Sequence, residues 1–385
     1  MKQRKNLNPH VTRRSWIVLA TSALTGCGGG GSSSTTASSP GTGGTGIYTQ
    51  GSISGFGSVI LNGIRFDDTA ATVQVDGVTA TSADLRLGMV AAVQGERGAD
   101  VTLGTASSIE VWSVAQGVVS QVISGQFTLA GMTVQTDSAT VFDGLSSDAS
   151  LVSGMRVTVW GLQAGADGRS WKATRVLQPA TNTTVVSTGL VSVAGSQRSL
   201  NGLLLTGSVV GNLTAGQLVR VQGTLSSDGD SLEVASFKLQ SPAAGSQPQG
   251  EIEIEGLVTA MPSASRLMLG SIEVDTRSAI YSPLGAQITL GARVEVYGTW
   301  QQGVIQASKV ELQDAQTLHS VEITAHIEQY TSLANFMVRG QRCDAANATI
   351  SHGKAADLGV GVKVKVKGAN AGGDVLVVTE LDIGG

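Results

Sequence analysis

The residue types that most often hold metals are few in this chain and poorly spaced. There are four histidines among 385 residues: His10, His319, His326 and His352. His319 and His326 are seven residues apart, which is not a metal-ligand spacing, and no cysteine or carboxylate completes a set around them. The histidines are therefore expected to be surface or structural residues. The sequence predicts no metal site and no cofactor.

Covalent catalysis also has no clear candidate residue. Serines are plentiful, but no Gly-x-Ser-x-Gly elbow stands between a strand and a helix. Gly55-Phe56-Gly57 starts like a phosphate loop, yet no helix and no Lys-Ser or Lys-Thr follows it. Cys343 falls at an apolar position of a predicted strand, where a small buried thiol is expected rather than a nucleophile. We therefore predict no catalytic residues and a protein that is not an enzyme.

Aromatic side chains are the best candidates for ligand contacts. Trp160 and Tyr297 occupy alternate, outward positions of predicted strands, and Trp171 and Trp300 lie on neighbouring hairpin strands. An outward tryptophan can stack on a sugar ring or a peptide. These four residues are the predicted ligand-binding residues. The alternative is that Trp160 and Trp300 pack one repeat against the next, because tandem repeats bury apolar surface on their neighbours.

The N-terminal segment has the pattern of an export signal. Five basic residues precede a short apolar stretch from Trp16 to Leu24, which is too short to span a bilayer as a helix. Leu24-Thr25-Gly26-Cys27 resembles the lipobox of bacterial lipoproteins, which implies cleavage before Cys27 and lipid attachment to it. Residues 12–17 resemble a twin-arginine motif, and an ordinary secretory route is the alternative.

A Gly- and Ser-rich stretch follows Cys27 and continues to Gly46, as expected for a flexible tether. By resemblance to enterobacterial lipoprotein sorting, Gly28 directly after the lipidated cysteine implies localisation to the outer membrane. The segment before Cys27 is basic, so the rest of the chain is more acidic than the net charge of −4 suggests. An acidic body argues against nucleic acid as a partner, since that binding needs basic surface.

One motif, Leu-x-x-Gly-x-x-Val-x-Val-x-Gly, occurs five times with the same internal spacing. The copies begin at Leu85, Leu151, Leu213, Ile288 and Leu358. Alternate valines predict a strand with one buried face, and the glycines permit the bends of a small barrel. Each copy has predicted strands on both sides. The chain is therefore predicted to be all-β, with about five strands in each of five tandem barrels.

The preferred barrel type is OB-like, and an SH3-like barrel is the alternative. The domain prediction that follows is a signal peptide at 1–26, a tether at 27–46 and repeats at 47–113, 115–178, 186–240, 253–312 and 320–383. Pro179 to Val185 and Ser241 to Gly250 are predicted linkers.

The first repeat also suggests a family. Residues 53–59 (Ile-Ser-Gly-Phe-Gly-Ser-Val), residues 62–67 (Asn-Gly-Ile-Arg-Phe-Asp) and the segment from Leu85 to Gly95 resemble the bacterial domain-of-unknown-function family 5666, whose members are repeated in proteobacterial lipoproteins. The first two repeats match best, and the later three lose the Gly-Phe-Gly. The resemblance implies OB-like barrels and no known activity.

These observations predict a lipid-anchored cell-envelope protein that acts as a non-enzymatic binding or scaffold protein. An oligosaccharide- or polysaccharide-binding module of envelope assembly is the alternative, and an envelope hydrolase is a third, less favoured one because no repeat shows clustered acids or a nucleophile–base pair. The predicted partners are the membrane, through the lipid on Cys27, and an envelope protein or glycan.

Overall fold

The computed structural model describes residues 45–178, 183–240, 250–314, 320–370 and 372–384. The predicted signal peptide, Cys27 and nearly all of the predicted tether lie outside these ranges. His10, His319 and most of the two predicted linkers also lie outside them.

The described residues form strands, turns and short 3-10 turns, with no α-helix among them, and they make five successive barrels. The first barrel contains β1 (Thr45–Phe56), β2 (Val59–Leu61), β3 (Ile64–Asp67), β4 (Thr72–Val75), β5 (Val78–Ala80), β6 (Val90–Arg97) and β7 (Leu103–Val111). The second contains β8 (Ala115–Ile123), β9 (Gln126–Leu129), β10 (Met132–Gln135), β11 (Val141–Asp143), β12 (Arg156–Gln163) and β13 (Ser170–Leu177). The third contains β14 (Val185–Ala194), β15 (Gln197–Leu200), β16 (Leu203–Thr206), β17 (Leu218–Leu225) and β18 (Ser231–Leu239). The fourth contains β19 (Glu251–Ser263), β20 (Arg266–Leu269), β21 (Ile272–Asp275), β22 (Ile280–Ser282), β23 (Arg293–Gln301) and β24 (Val304–Leu312). The fifth contains β25 (Ser320–Ser332), β26 (Asn335–Val338), β27 (Gln341–Asp344), β28 (Thr349–Ser351), β29 (Lys363–Asn370) and β30 (Val375–Ile383).

Strand order identifies the barrel type. In the first barrel β1 pairs with β2, β2 with β3, β3 with β7, β7 with β6, and β6 returns to β1. The β3–β7 pair is parallel, and the other pairs are antiparallel. The other four barrels repeat this closed order, each with a parallel pair between its third and last long strands. A closed five-stranded Greek-key order of this kind is that of an OB-like barrel, so the prediction of small OB-like barrels is confirmed.

The two glycines of the repeated motif have different structural roles. The first glycine adopts a positive φ in every copy, from +74° at Gly88 to +89° at Gly154, which an L side chain rarely adopts. The second glycine sits at a β-bulge where the motif strand meets the last strand. A Cβ at Gly223 would lie 2.0 Å from the carbonyl oxygen of Glu233, and the equivalent glycines are as tightly placed. Any larger residue there must disrupt the bulge.

The bulge also reverses which side chains face inward. Before it, Val157 and Val159 of β12 point into the second barrel and are fully buried. The extra residue of this bulge is Thr174 on β13, because Trp160 pairs with Arg175 and Gly161 with Ala173; the alternation therefore shifts in β13 and continues unbroken along β12. In β23 the alternation is also unbroken, so Trp300 lies on the same face as Val294 and Val296 and contacts the core of the fourth barrel.

The first barrel contacts each of the other four. The N-terminal half of β1 runs parallel to β19 in the fourth barrel, and its C-terminal end runs parallel to β25 in the fifth. Arg220 of the third barrel forms an ion pair with Asp76 at 2.8 Å. From the second barrel, buried Arg175 donates to the Leu87 carbonyl at 3.0 Å. The barrels are therefore packed against one another, and spaces enclosed between them can serve as sites.

Candidate functional site: a cavity between four barrels

Trp160 points out of its own barrel, as predicted, but it is not on an open face. It is only 3% exposed and belongs to the same apolar cluster as Leu87 and Met89 of the first barrel. The structure therefore places Trp160 in the packing between the first two barrels, which was the alternative interpretation of its sequence position.

Trp171 and Trp300 face the cores of their own barrels. Trp171 is 6% exposed, lies in the core cluster of the second barrel, and donates its indole N–H to the Gly168 carbonyl at 3.0 Å. Trp300 packs against the core of the fourth barrel. The expectation of outward, exposed rings is wrong for these two residues. Trp300 shares the inward face of Val294 and Val296, and the extra residue of the bulge in β13 puts Trp171 on the inward face. Trp171 nevertheless forms part of the wall of a cavity.

Tyr297 faces outward from the fourth barrel, as predicted, and is half-buried. Its hydroxyl donates to Oε1 of Glu295 at 2.7 Å, and the Lys309 ammonium lies 4.8 Å from the ring centroid. The hydroxyl of Tyr297 and the face of its ring are therefore both occupied by partners within the chain. The four predicted aromatic residues are not brought together in one site.

Cys343 is fully buried in the core of the fifth barrel, and burial raises the pKa of its thiol to about 12. This agrees with the predicted inert thiol. His326 and His352 are exposed, and His352 Nδ1 lies 2.9 Å from Asp382. Within the described ranges no group of three or more His, Cys, Asp or Glu residues is placed to hold a metal ion.

A cavity of about 700 Å³ that is partly open to solvent lies between the first four barrels. Its walls come from β1, β6 and β7, from the ends of β12 and β13, from β17 and β18, and from β19 with the turn between β20 and β21. Its volume lies within the range of about 300–1,000 Å³ that is usual for small-molecule sites. No single barrel contains this site, because each contributes only one wall.

The wall of the cavity combines aromatic and amide side chains. The aromatic residues are Tyr48, Trp112, Trp171 and Phe237. The amide residues are Gln50, Gln94, Gln163 and Gln240. Leucines and short aliphatic residues fill the remaining wall. An apolar pocket with a few polar groups is the usual composition of a ligand site.

The charged groups on the wall are paired. The Lys238 ammonium lies 2.7 Å from Oε2 of Glu110, and Arg293 Nε lies 2.6 Å from Oε1 of Glu255. Burial acts to raise the pKa of Glu110, but hydrogen bonds from Lys238 and Trp112 outweigh it and lower that pKa. Burial likewise opposes ionisation of Glu255, and the charge and hydrogen bonds of Arg293, with those of Ser52, lower its pKa. Both carboxyl groups are therefore ionised and neutralised by a partner.

Trp112 is an aromatic residue that the sequence analysis missed. It lies just after β7, donates its indole N–H to Glu110 at 3.2 Å, and carries the Lys238 ammonium 3.9 Å from its ring centroid. This contact joins the first barrel to the third across the cavity wall. The sequence feature that could have identified Trp112 is its place at the junction of two repeats, outside the recurring strands.

A second group of residues lies beside the cavity, between the first and fourth barrels. Glu253 and Glu295 are 1% and 5% exposed and are hydrogen-bonded to each other. Arg97 forms an ion pair with Glu253. Burial, followed by the hydrogen bond and charge of Glu253, raises the pKa of Glu295 to about 9. One proton is therefore held between these carboxyl groups at neutral pH. The alternation Glu251-Ile252-Glu253-Ile254-Glu255 was the missed signal, since it places three carboxylates on the outer face of one strand.

Fold and cavity together define a class: a protein of tandem OB-like barrels with a cavity between them. Residues 116–176 and 255–311 match the model of the family described as Domain of unknown function (DUF5666). The matched segments lie in the second and fourth barrels, which confirms the predicted resemblance to this family. The matched copies differ from the expectation that the first two repeats resemble it most.

Other comparisons add little. No curated protein matched the sequence. The solved structure described as drosophila Unr CSD456 is similar over 45% of this chain and 79% of its own, with 10% identity and a TM-score of 0.14. A likeness this weak is no basis for an inference about function. Among the described residues, no helix has the length and apolar character needed to cross a bilayer.

Proposed function

We propose that this chain is a lipid-anchored protein of the bacterial cell envelope that works by binding rather than catalysis, with the four-barrel cavity as its ligand site. The observation that carries the proposal is the cavity itself, which has a volume of about 700 Å³ and a mixed aromatic and amide wall. Sites of this size and composition are where proteins hold small molecules. The anchor rests on the lipobox-like segment ending at Cys27 and on the tether after it.

The titratable groups on the cavity wall support binding over hydrolysis. Glu110 and Glu255 are each held by a cation, as described above. Burial, reinforced by the charge of Glu110, raises the pKa of the Tyr48 hydroxyl, which also donates to Gln50 at 3.0 Å. A general acid or base needs a pKa near the working pH and access to substrate. Because these groups have partners within the chain and their pKa values are shifted away from the working pH, they are not suited to act as a general acid or base.

The first experiment asks whether the cavity holds any small molecule. The full chain, purified in a mild detergent, would be incubated with a small-molecule extract of the bacterial envelope and measured by native mass spectrometry. We expect a bound species that disappears in Ser271→Trp, because Ser271 lies in an exposed turn on the cavity wall and a tryptophan there fills the space.

The matched control is Ser196→Trp, an exposed turn residue of the third barrel that does not line the cavity. It should retain the bound species. Absence of any bound species, or its persistence in Ser271→Trp, would contradict the proposed site. Turnover of glycan, ester, peptide or phosphodiester substrates that copurifies with the chain and is lost on one polar substitution would contradict the non-catalytic role.

A further inference from the structure

We infer that the ligand of the four-barrel cavity is an uncharged, hydroxyl-rich molecule, specifically a short neutral oligosaccharide. This inference rests on the proposed function, since it names the class of molecule that the same cavity takes. It is carried by three properties of the wall: its charge balance, its amides and its aromatic rings.

The charge balance excludes a ligand that needs an ionic partner. Lys238 is committed to Glu110 at 2.7 Å and also lies over the Trp112 ring. The second carboxylate, Glu255, is committed to Arg293 and accepts a hydrogen bond from the Ser52 backbone N–H at 2.8 Å. A phosphate or a uronate would need a cation that is free to pair with it. The cations near this wall are already neutralised.

The amide groups call for a ligand with many hydroxyls. Four glutamines and two serines line the wall, and each primary amide offers two donors and a carbonyl acceptor. The Nε2 atom of Gln240 is buried and has no hydrogen-bond partner among the described residues. A buried amide N–H without an acceptor costs about 1–3 kcal/mol, and a rotation of the Gln240 side chain towards the cavity would let a ligand hydroxyl accept from it. Hydroxyl groups both donate and accept, which suits a wall of amides.

The aromatic rings of the cavity wall are the third property, and they suit the apolar faces of a sugar. Trp171 and Phe237 come from different barrels and line the same cavity with Tyr48 and Trp112. Sugar rings present apolar C–H faces as well as hydroxyl edges, and aromatic side chains bury such faces favourably. A fatty acyl chain would match the rings but would leave the amides without partners, at a cost for each buried group. The combination favours a saccharide over a lipid.

The test is isothermal titration calorimetry of the full chain in a detergent without sugar head groups. The neutral probes are maltotriose, cellotriose and tri-N-acetylchitotriose, which separate a glucan from an aminosugar source. The comparison probes are a trimer of uronic acids and lauric acid. We expect saturable binding of at least one neutral trisaccharide and no saturable binding of the comparison probes.

Two substitutions connect binding to the cavity. Gln240→Leu should weaken binding of the neutral trisaccharide at least tenfold, because it removes the unpartnered amide, and Ser271→Trp should abolish it. Gln121→Leu makes the same change at an exposed position of β8 outside the cavity and should leave affinity unchanged. Circular dichroism would check that each variant keeps its strand content.

The outcomes separate this inference from the proposed function. Binding of lauric acid or of the uronic acid trimer in place of neutral sugars would overturn the ligand class and leave the cavity as a binding site. Failure of every neutral probe to bind would also overturn it, as would unchanged affinity in Gln240→Leu. Absence of any envelope-derived species from the wild type in the first experiment, or its persistence in Ser271→Trp, would instead contradict the cavity as a binding site, whatever the chemistry of its ligand.

Discussion

Replacing Glu295 by glutamine should make the stability of the fourth barrel less dependent on pH. Glu295 is 5% exposed, accepts hydrogen bonds from Tyr297 at 2.7 Å and Gln313 at 2.9 Å, and is hydrogen-bonded to Glu253. The buried carboxyl groups of Glu253, Glu255 and Glu295 face only Arg97 and Arg293 as ion-pair partners among the described residues. With more carboxyl groups than cations, one proton is retained in the folded state.

The sign of the effect follows from where that proton is bound. The pKa of Glu295 is raised from 4.5 to about 9 on folding. Below the lower value both states carry the proton, and this group does not penalise folding. Between the two values only the folded state holds it, so stability falls as pH rises, at up to about 1.4 kcal/mol per pH unit. From pH 5.5 to 7.5 the loss would reach at most about 3 kcal/mol, shared with Glu253 because the two groups titrate together.

Urea unfolding between pH 5.5 and 7.5, read by hydrogen exchange in β19 and β23, would measure this slope barrel by barrel. Glu295→Gln keeps the side-chain size and an acceptor for the Tyr297 hydroxyl but cannot ionise, so its slope should be flatter and its advantage should grow with pH. Glu233→Gln, an exposed glutamate of β18, is the control and should leave the slope unchanged. Equal slopes for the wild type and Glu295→Gln would refute the shared-proton assignment.

Three further predictions concern the anchor and the barrels. Cys27→Ser should move the protein out of the membrane fraction, because the acyl chains supply the membrane affinity; retention after salt and carbonate washing would count against lipid attachment. Val159→Asp should destabilise the second barrel by about 3–5 kcal/mol, since it buries an unpaired carboxyl group, and limited proteolysis of that barrel would detect the loss. Gly223→Ala should destabilise the third barrel by about 1–3 kcal/mol or more in thermal unfolding, since its Cβ would meet the Glu233 carbonyl at 2.0 Å. Gly211→Ala in the same barrel has open space around its Cβ and should change stability by much less, so equal effects would refute the bulge argument.

The barrels could be predicted from the sequence because their determinants are local and repeat. Alternating valines specify a strand with one buried face. The first glycine of the motif permits a positive φ, and the second leaves room for the bulge with the neighbouring strand, so both act within a few residues or across one strand pair. The parallel pairing that separates OB-like from SH3-like barrels is not local. It joins residues such as Arg65 and Leu103, which the sequence pattern does not relate to each other.

The individual side-chain environments were harder to predict. Strict alternation along β23 places Trp300 with Val294 and Val296 against the core. In β13 the extra residue of the bulge breaks the alternation, so Trp171 and Val176 both face the core although they are five residues apart. Trp160 does point outward, but whether an outward residue meets water or a neighbouring barrel depends on how the barrels pack. No pattern within one repeat contains that information.

By itself, the sequence determined the strand content, the five-fold repetition and the positions of the glycines that bend each barrel, because these depend on short-range sterics and on alternation along the chain. Tertiary structure alone decided the cavity and the shared proton. The cavity needs Trp112, Trp171 and Phe237 to be brought together from three barrels, and the proton needs Glu253 and Glu295 on paired strands to be buried against the first barrel. Both are consequences of packing between repeats, where residues distant in sequence share one low-dielectric environment.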